Sequence, residues 1–117
     1  MLAMACFMAT MCSISDPVWV KYEVTGTASS VDITMHNSGG NVEQLTEVSV
    51  PWFSNEFMPR YKDIEGHDRQ VYLAYISAQN NGDSGSVTVR IYKDGRIVEE
   101  ATSKGAYVTA TAQTILY

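Results

Sequence analysis

Ser86 to Ala101 reads SVTVRIYKDGRIVEEA, and this stretch decides the fold. Val87, Val89 and Ile91 alternate with Thr88, Arg90 and Tyr92, the period of two that puts one face of a strand on a core and the other in water. Lys93-Asp94-Gly95-Arg96 follows, and a two-residue Asp-Gly connection favours a type I′ turn because both central residues accept positive φ. The spacing therefore predicts an antiparallel hairpin pairing Ser86–Lys93 with Arg96–Ala101. Downstream, Gly105 separates a last strand, Ala106 to Ile115, in which Ala106, Val108, Ala110 and Ala112 face one way. Upstream, Asn80-Asn81-Gly82-Asp83-Ser84-Gly85 reads as a loop. Before it, Val71-Tyr72-Leu73-Ala74-Tyr75-Ile76-Ser77-Ala78 is almost continuously apolar, as expected of a central strand buried on both faces.

The first half of the domain repeats the pattern. Val18, Val20, Tyr22 and Val24 alternate with Trp19, Lys21, Glu23 and Thr25, and the even face should look inward. After a break at Gly26–Ser30, Val31, Ile33 and Met35 alternate with Asp32, Thr34 and His36. Asn37-Ser38-Gly39-Gly40-Asn41 gives a turn. Val42 to Val50 forms a third strand with Val42, Gln44, Thr46, Val48 and Val50 on one face, ended by Pro51, which has no ladder donor. Trp52 to Pro59 then crosses over carrying Trp52, Phe53, Phe57 and Met58, and residues 60–69 form a charged, solvated connection. Seven short strands in about 100 residues, with turn signals every 8 to 15 positions and no helical period, predict an all-β, seven-stranded, immunoglobulin-like antiparallel sandwich.

A chain of 117 residues holds one ordinary domain. Hydrophobic residues at 45% and charged residues at 18% suit a packed core rather than a disordered chain. The net charge of −5 leaves nothing to neutralise a phosphate backbone, so nucleic-acid binding is excluded as a function class.

The N-terminus stands apart. Met1 to Cys12, MLAMACFMATMC, is apolar except for Thr10, and no charge occurs before Asp16. The run is far short of the about 20 apolar residues that span a bilayer, but has the length of a signal-peptide core, about 7 to 15 residues. Residues 1–17 are thus expected to be a signal- or lipoprotein-type segment with a short linker, and residues 18–117 the sandwich. Both cysteines, Cys6 and Cys12, lie in this run, so no disulfide forms within the domain. Cys12 ends the run and is followed by small polar residues, where a bacterial lipoprotein signal places its acylated cysteine. Lipid attachment at Cys12, an ordinary secretory signal or truncated anchor, and a buried N-terminal strand or helix are the three readings. The first two put the domain outside the cytoplasm.

No catalytic set emerges. His36 and His67 stand 31 positions apart with no ligand-spaced partner, so neither a metal nor a general base is expected. The Asn80–Gly85 loop lacks the recurrent acids of a calcium loop and reads as a turn. There is no phosphate-cradling glycine loop and no Gly-x-Ser-x-Gly elbow. The expected protein is not an enzyme and carries no cofactor. Surface is what remains: Trp19, Trp52, Phe53, Phe57 and Met58 are the candidate partner-contact residues. The crossover residues either cap the core or display an apolar patch, and an outward Trp19 either closes a sandwich edge or rests at a bilayer interface.

Tyr22-Glu23-Val24-Thr25-Gly26-Thr27-Ala28, Val31-Asp32-Ile33-Thr34-Met35 and Val50-Pro51-Trp52 carry a resemblance, as do Gly85 to Ile91 with Asp94-Gly95 and Ala106 to Ala110. In this order and spacing they resemble the MmpS family of small membrane-anchored proteins. The resemblance implies an extracytoplasmic, bacterial β-sandwich held by an N-terminal anchor, which assists an RND-type transporter through protein contacts. Members commonly carry cysteines near the hairpin and the closing strand, where this chain has Val89 and Thr109 or Ala110. Their transmembrane helix is replaced by the run ending at Cys12. Two other classes stay open: a carrier of lipids or small ligands in a groove between the sheets, and a surface adhesin module.

Overall fold

Period-two segments leave every backbone donor and acceptor pointing sideways, and pairing into sheets is how a water-excluding fold satisfies them. The computed structural model describes residues 18–60, 62–63 and 70–117. Among the described residues there are nine strands and no helix: β1 (Val20–Gly26), β2 (Val31–His36), β3 (Val42–Val48), β4 (Trp52–Phe53), β5 (Lys62–Asp63), β6 (Gln70–Asn80), β7 (Ser86–Lys93), β8 (Arg96–Lys104) and β9 (Thr109–Leu116). One sheet has the order β4-β1-β7-β8. The other has the order β3-β2-β6-β5, with β9 also paired to β6. All pairings are antiparallel.

The expected count of seven is corrected to nine. The seven long strands lie where the alternation puts them, except that the last begins at Thr109 rather than Ala106, because the backbone turns at Tyr107 with φ 55°. The additional two, β4 and β5, are two residues each, too short to show any period, and exist only because β1 and β6 offer free backbone to pair with.

The core is the sum of the inward faces. Val20, Tyr22 and Val24 of β1, Val31, Ile33 and Met35 of β2, and Val87, Val89 and Ile91 of β7 are buried together with Ala110, Ala112 and Leu116 of β9. In β6 the inward set is Tyr72, Ala74, Ile76 and Ala78. That strand is central, as expected, but it is not buried on both faces: Leu73 and Gln79 are exposed between the buried positions. Its outer face is open among the described residues, none of which packs over this antiparallel sheet.

The register expected for Val42–Val50 is also corrected. Val31 faces Val48, but Ile33 faces Leu45, so three residues of β3 advance against two of β2. This is a bulge. It turns at Glu47, whose φ is 54°, and the Glu47 N–H donates to Asp32 Oδ1 at 2.9 Å. The extra residue rotates Leu45 and Val48 onto the core together and leaves Val42 outside. Hydrogen bonds from Glu47 N–H and the Asn81 amide hold the Asp32 carboxyl below its ordinary pKa.

The hairpin forms as expected. Asp94 and Gly95 both have positive φ, 52° and 81°, and Lys93 pairs Arg96, which is a type I′ turn. Its second strand runs on to Lys104, beyond the expected Ala101, with a register shift after Ile91. At the other end of the sandwich Asn80, fully buried, closes the 80–85 loop: its amide donates to the carbonyls of Ser84 and Gly105, and its Oδ1 accepts from Gly82 N–H. The loop is a turn, as read.

Two glycines do different work. At Gly95 φ is +81° and a Cβ would meet nothing within 4 Å, so only backbone strain opposes a side chain. At Gly26 φ is +139° and a Cβ would lie 2.2 Å from the Ser86 carbonyl oxygen. Gly95→Ala is therefore expected to cost about 1 kcal/mol, and Gly26→Ala more than about 3 kcal/mol. Urea midpoints of the two variants check the order, and equal midpoints would contradict it.

Candidate functional site

β4 and the segment after it, residues 52–59, lay four large side chains across one end of the sandwich, and the structure divides them. Trp52 and Phe57 are half-buried against the core, whereas Phe53 and Met58 are each about half exposed, at 52% and 53%. Capping and display are thus both realised. The segment is held by backbone: Trp52 and Phe53 pair with Val24 and Glu23, and Val20 and Phe57 exchange two hydrogen bonds of 2.8 and 2.9 Å. Ser54 Oγ accepts from Tyr22 N–H at 2.8 Å.

Under this strap lies a groove of about 370 Å³. Tyr22, Met35, Trp52 and Phe57 supply apolar walls, and Asn37, Ser54 and Glu43 supply polar ones. The groove brings Trp52, Phe53 and Phe57 together. Met58 and Trp19 do not line it; Trp19 shares a shallow neighbouring depression with Glu56 and the Asp94-Gly95 turn. Trp19 is 41% exposed, and its backbone is tied to the turn by Trp19 N–H to Asp94 Oδ1 (3.0 Å) and Asp94 N–H to Trp19 O (2.8 Å).

Two tyrosines form the floor beneath Phe57, and Tyr22 of the two lines the groove itself. Tyr22 stands on β1, yet its hydroxyl donates to the His36 carbonyl (2.8 Å) and accepts from Tyr75 N–H (3.2 Å), both on the opposite sheet or its margin. Tyr72 points its hydroxyl at the carbonyls of Asn37 and His36. The Phe57 ring packs against both, with centroids at 5.6 and 6.3 Å. Burial pushes both tyrosine pKa values above the ordinary range. His36 Nδ1 donates to the Leu73 carbonyl at 3.0 Å, which spends the imidazole on structure. The alternation put Tyr22 inward, but gave no sign that its hydroxyl would bridge the sheets, since its acceptor and its donor come from residues 14 and 53 positions away.

Outside this end, the face of the β4-β1-β7-β8 sheet carries a polar row. Glu23, almost buried, accepts from the Tyr92 hydroxyl at 2.6 Å and pairs with Arg90 at 3.4 Å, and Arg90 also pairs with Glu100. Lys21 lies over the rings of Phe53 and Tyr92. Among the described residues no group of His, Cys, Asp and Glu is placed to hold a metal. His67 and Cys12 lie outside the described residues, as does the whole expected segment 1–17.

A family described as Mycobacterium membrane protein matches residues 4–115. The chain belongs to this family. It is the family of MmpS-type membrane proteins, in agreement with the resemblance carried by the strand motifs. No curated protein matches the chain. As in the sequence, the family match begins inside the apolar Met1–Cys12 run and continues to the last strand, so apolar segment and sandwich are one family unit. No helix among the described residues is long and apolar enough to cross a membrane.

In this MmpS-type sandwich the tyrosine floor makes stability sensitive to alkali. In the unfolded chain Tyr22 and Tyr72 titrate near their ordinary value of 10.0, while in the fold they stay protonated beyond it. The unfolded state then binds fewer protons, so the stabilisation is complete below pH 10 and is lost as pH rises above it. Tyr22→Phe/Tyr72→Phe should flatten the fall in melting temperature between pH 10 and 12, while costing about 1–3 kcal/mol at pH 7 because Tyr75 N–H loses its acceptor. An unchanged alkaline slope would refute the assignment.

Proposed function

We propose that this chain is a non-enzymatic, extracytoplasmic β-sandwich, tethered to the membrane by residues 1–17 and assisting an RND-type envelope transporter through protein contacts. The observation that carries the reading is the family match running unbroken from the apolar N-terminal run through the sandwich. The absence of a metal-ligand group among the described residues and the use of His36 in a structural hydrogen bond support a role in binding rather than catalysis. An immunoglobulin-like lineage for the sandwich belongs to the same reading, supported by two antiparallel sheets and seven long strands.

In this reading the tether is a lipid on Cys12, in a periplasmic or cell-surface lipoprotein whose leader is removed. Cross-linked purification of the intact protein from its native membranes, followed by mass spectrometry, tests both parts. Co-recovery of a large polytopic permease with a mature chain starting at an acylated Cys12 is the expected result. Cys12→Ser should then move the protein from the detergent phase to the aqueous phase of a Triton X-114 partition. An unmodified N-terminus would refute acylation, and recovery without any envelope protein would refute the accessory role.

The groove favours a second reading, a carrier of lipids or small ligands. Its volume of about 370 Å³ falls within the range of about 300–1,000 Å³ typical of ligand pockets, and apolar and hydrogen-bonding groups converge in it. A bound acyl-chain ligand would raise the melting temperature of the wild type and not of Trp52→Ala. No shift across a panel of fatty acids and phospholipids would dismiss it.

A further inference from the structure

Exposed apolar side chains are not spread evenly over this molecule. β1 starts, β2 ends, β6 starts and β9 ends at one end of the sandwich. The hydrogen bonds Tyr22 to His36, His36 to Leu73 and Trp19 to Asp94 tie those termini and the hairpin turn together. Trp19, Met58, Ile97, Leu73, Ile115 and Tyr117 all stand at this end, with exposures from 37% to 70%. Of the ten large apolar side chains exposed among the described residues, Tyr107 alone lies at the opposite end, beside Gly82 and Gly105. Lys93 and Arg96 flank the turn at the apolar end, and Asp94 and Glu56 stand beside Trp19. Large apolar and aromatic side chains set among charged groups of both signs are the composition of a surface that meets the headgroup zone.

We infer that this end of the sandwich, with Trp19 at its centre, rests on the bilayer interface. The inference builds on the tethered reading above, and chain length carries it. Val18 emerges at this end, and only Ser13–Pro17 separate it from the apolar run. Extended, that linker spans at most about 20 Å. The 11-residue β6 is about 36 Å long, so the linker keeps the Trp19 end at the surface and the Tyr107 end away from it. Capping by the chain's own Met1–Cys12, by a second copy or by a protein partner are the competing occupants.

Full-length protein purified with its native N-terminus and reconstituted into vesicles of phosphatidylethanolamine and phosphatidylglycerol (3:1) tests this. Flotation reports the tether, and tryptophan quenching by shallowly brominated lipids reports the orientation. The inference expects flotation together with quenching of at least about half of the Trp19 signal, lost in Trp19→Phe. It also expects Phe53→Ser/Met58→Ser to float unchanged with the Trp19 quenching reduced at least two-fold. Flotation without Trp19 quenching would overturn the inference and leave the tether standing. Loss of flotation would overturn the tether and the inference with it. Trp19 shielded from both lipid and aqueous quenchers, in the vesicles or only after addition of an envelope protein, would give this end to a protein contact and overturn the bilayer assignment.

Discussion

The hydroxyl of Tyr22 is the contact on which the arrangement of the two sheets depends. A fully buried tyrosine must find partners for its oxygen or lose the free energy of desolvating it, about 1–3 kcal/mol. Apolar burial would hold two sheets together at many relative positions, because it has no direction. The Tyr22 oxygen has direction: it donates to the carbonyl of His36 and accepts from the amide of Tyr75, so β1 meets the end of β2 and the middle of β6 in one register only. Tyr72 makes the same demand from the other sheet, and Phe57 fills the space between the rings.

The two faces of the sandwich are also unlike its ends. Across the β4-β1-β7-β8 sheet, Glu23, Arg90, Glu100, Tyr92 and Lys21 engage one another. A face so occupied is well solvated and offers little to an apolar partner. Contact potential is concentrated where strands terminate, because side chains at strand ends have neighbours on one side only. The described chain also enters the sandwich at this same end, through Val18 and Trp19.

Much of this was legible in the sequence. The alternation in β1, β2 and β7 named the buried residues correctly, that of the last strand named Ala110 and Ala112 but also the exposed Ala106, and Asp94-Gly95 placed the hairpin turn with its type. The strand motifs led to the right family. Three readings were not reachable. The bulge in β3 depends on Asp32 accepting from Glu47, a contact between strands. The open outer face of β6 depends on no described residue packing over it, although Leu73, Tyr75 and Ser77 look like material for burial. The crossover residues divide into two half-buried and two displayed because β1 pairs Trp52, Phe53 and Phe57 by backbone, which no side-chain pattern announces.

By itself, then, the sequence determined the long strands, their inward faces, the hairpin, the family and the apolar N-terminal run, because each rests on local periodicity, turn chemistry or composition. The tertiary structure alone decided which strands share a sheet, where the Tyr22 hydroxyl finds its partners, how the strap encloses a groove, and that the exposed apolar side chains gather at one end. Those outcomes are set by pairings between segments tens of residues apart, and pairings at that distance are chosen by the geometry of the whole fold rather than by any stretch of it.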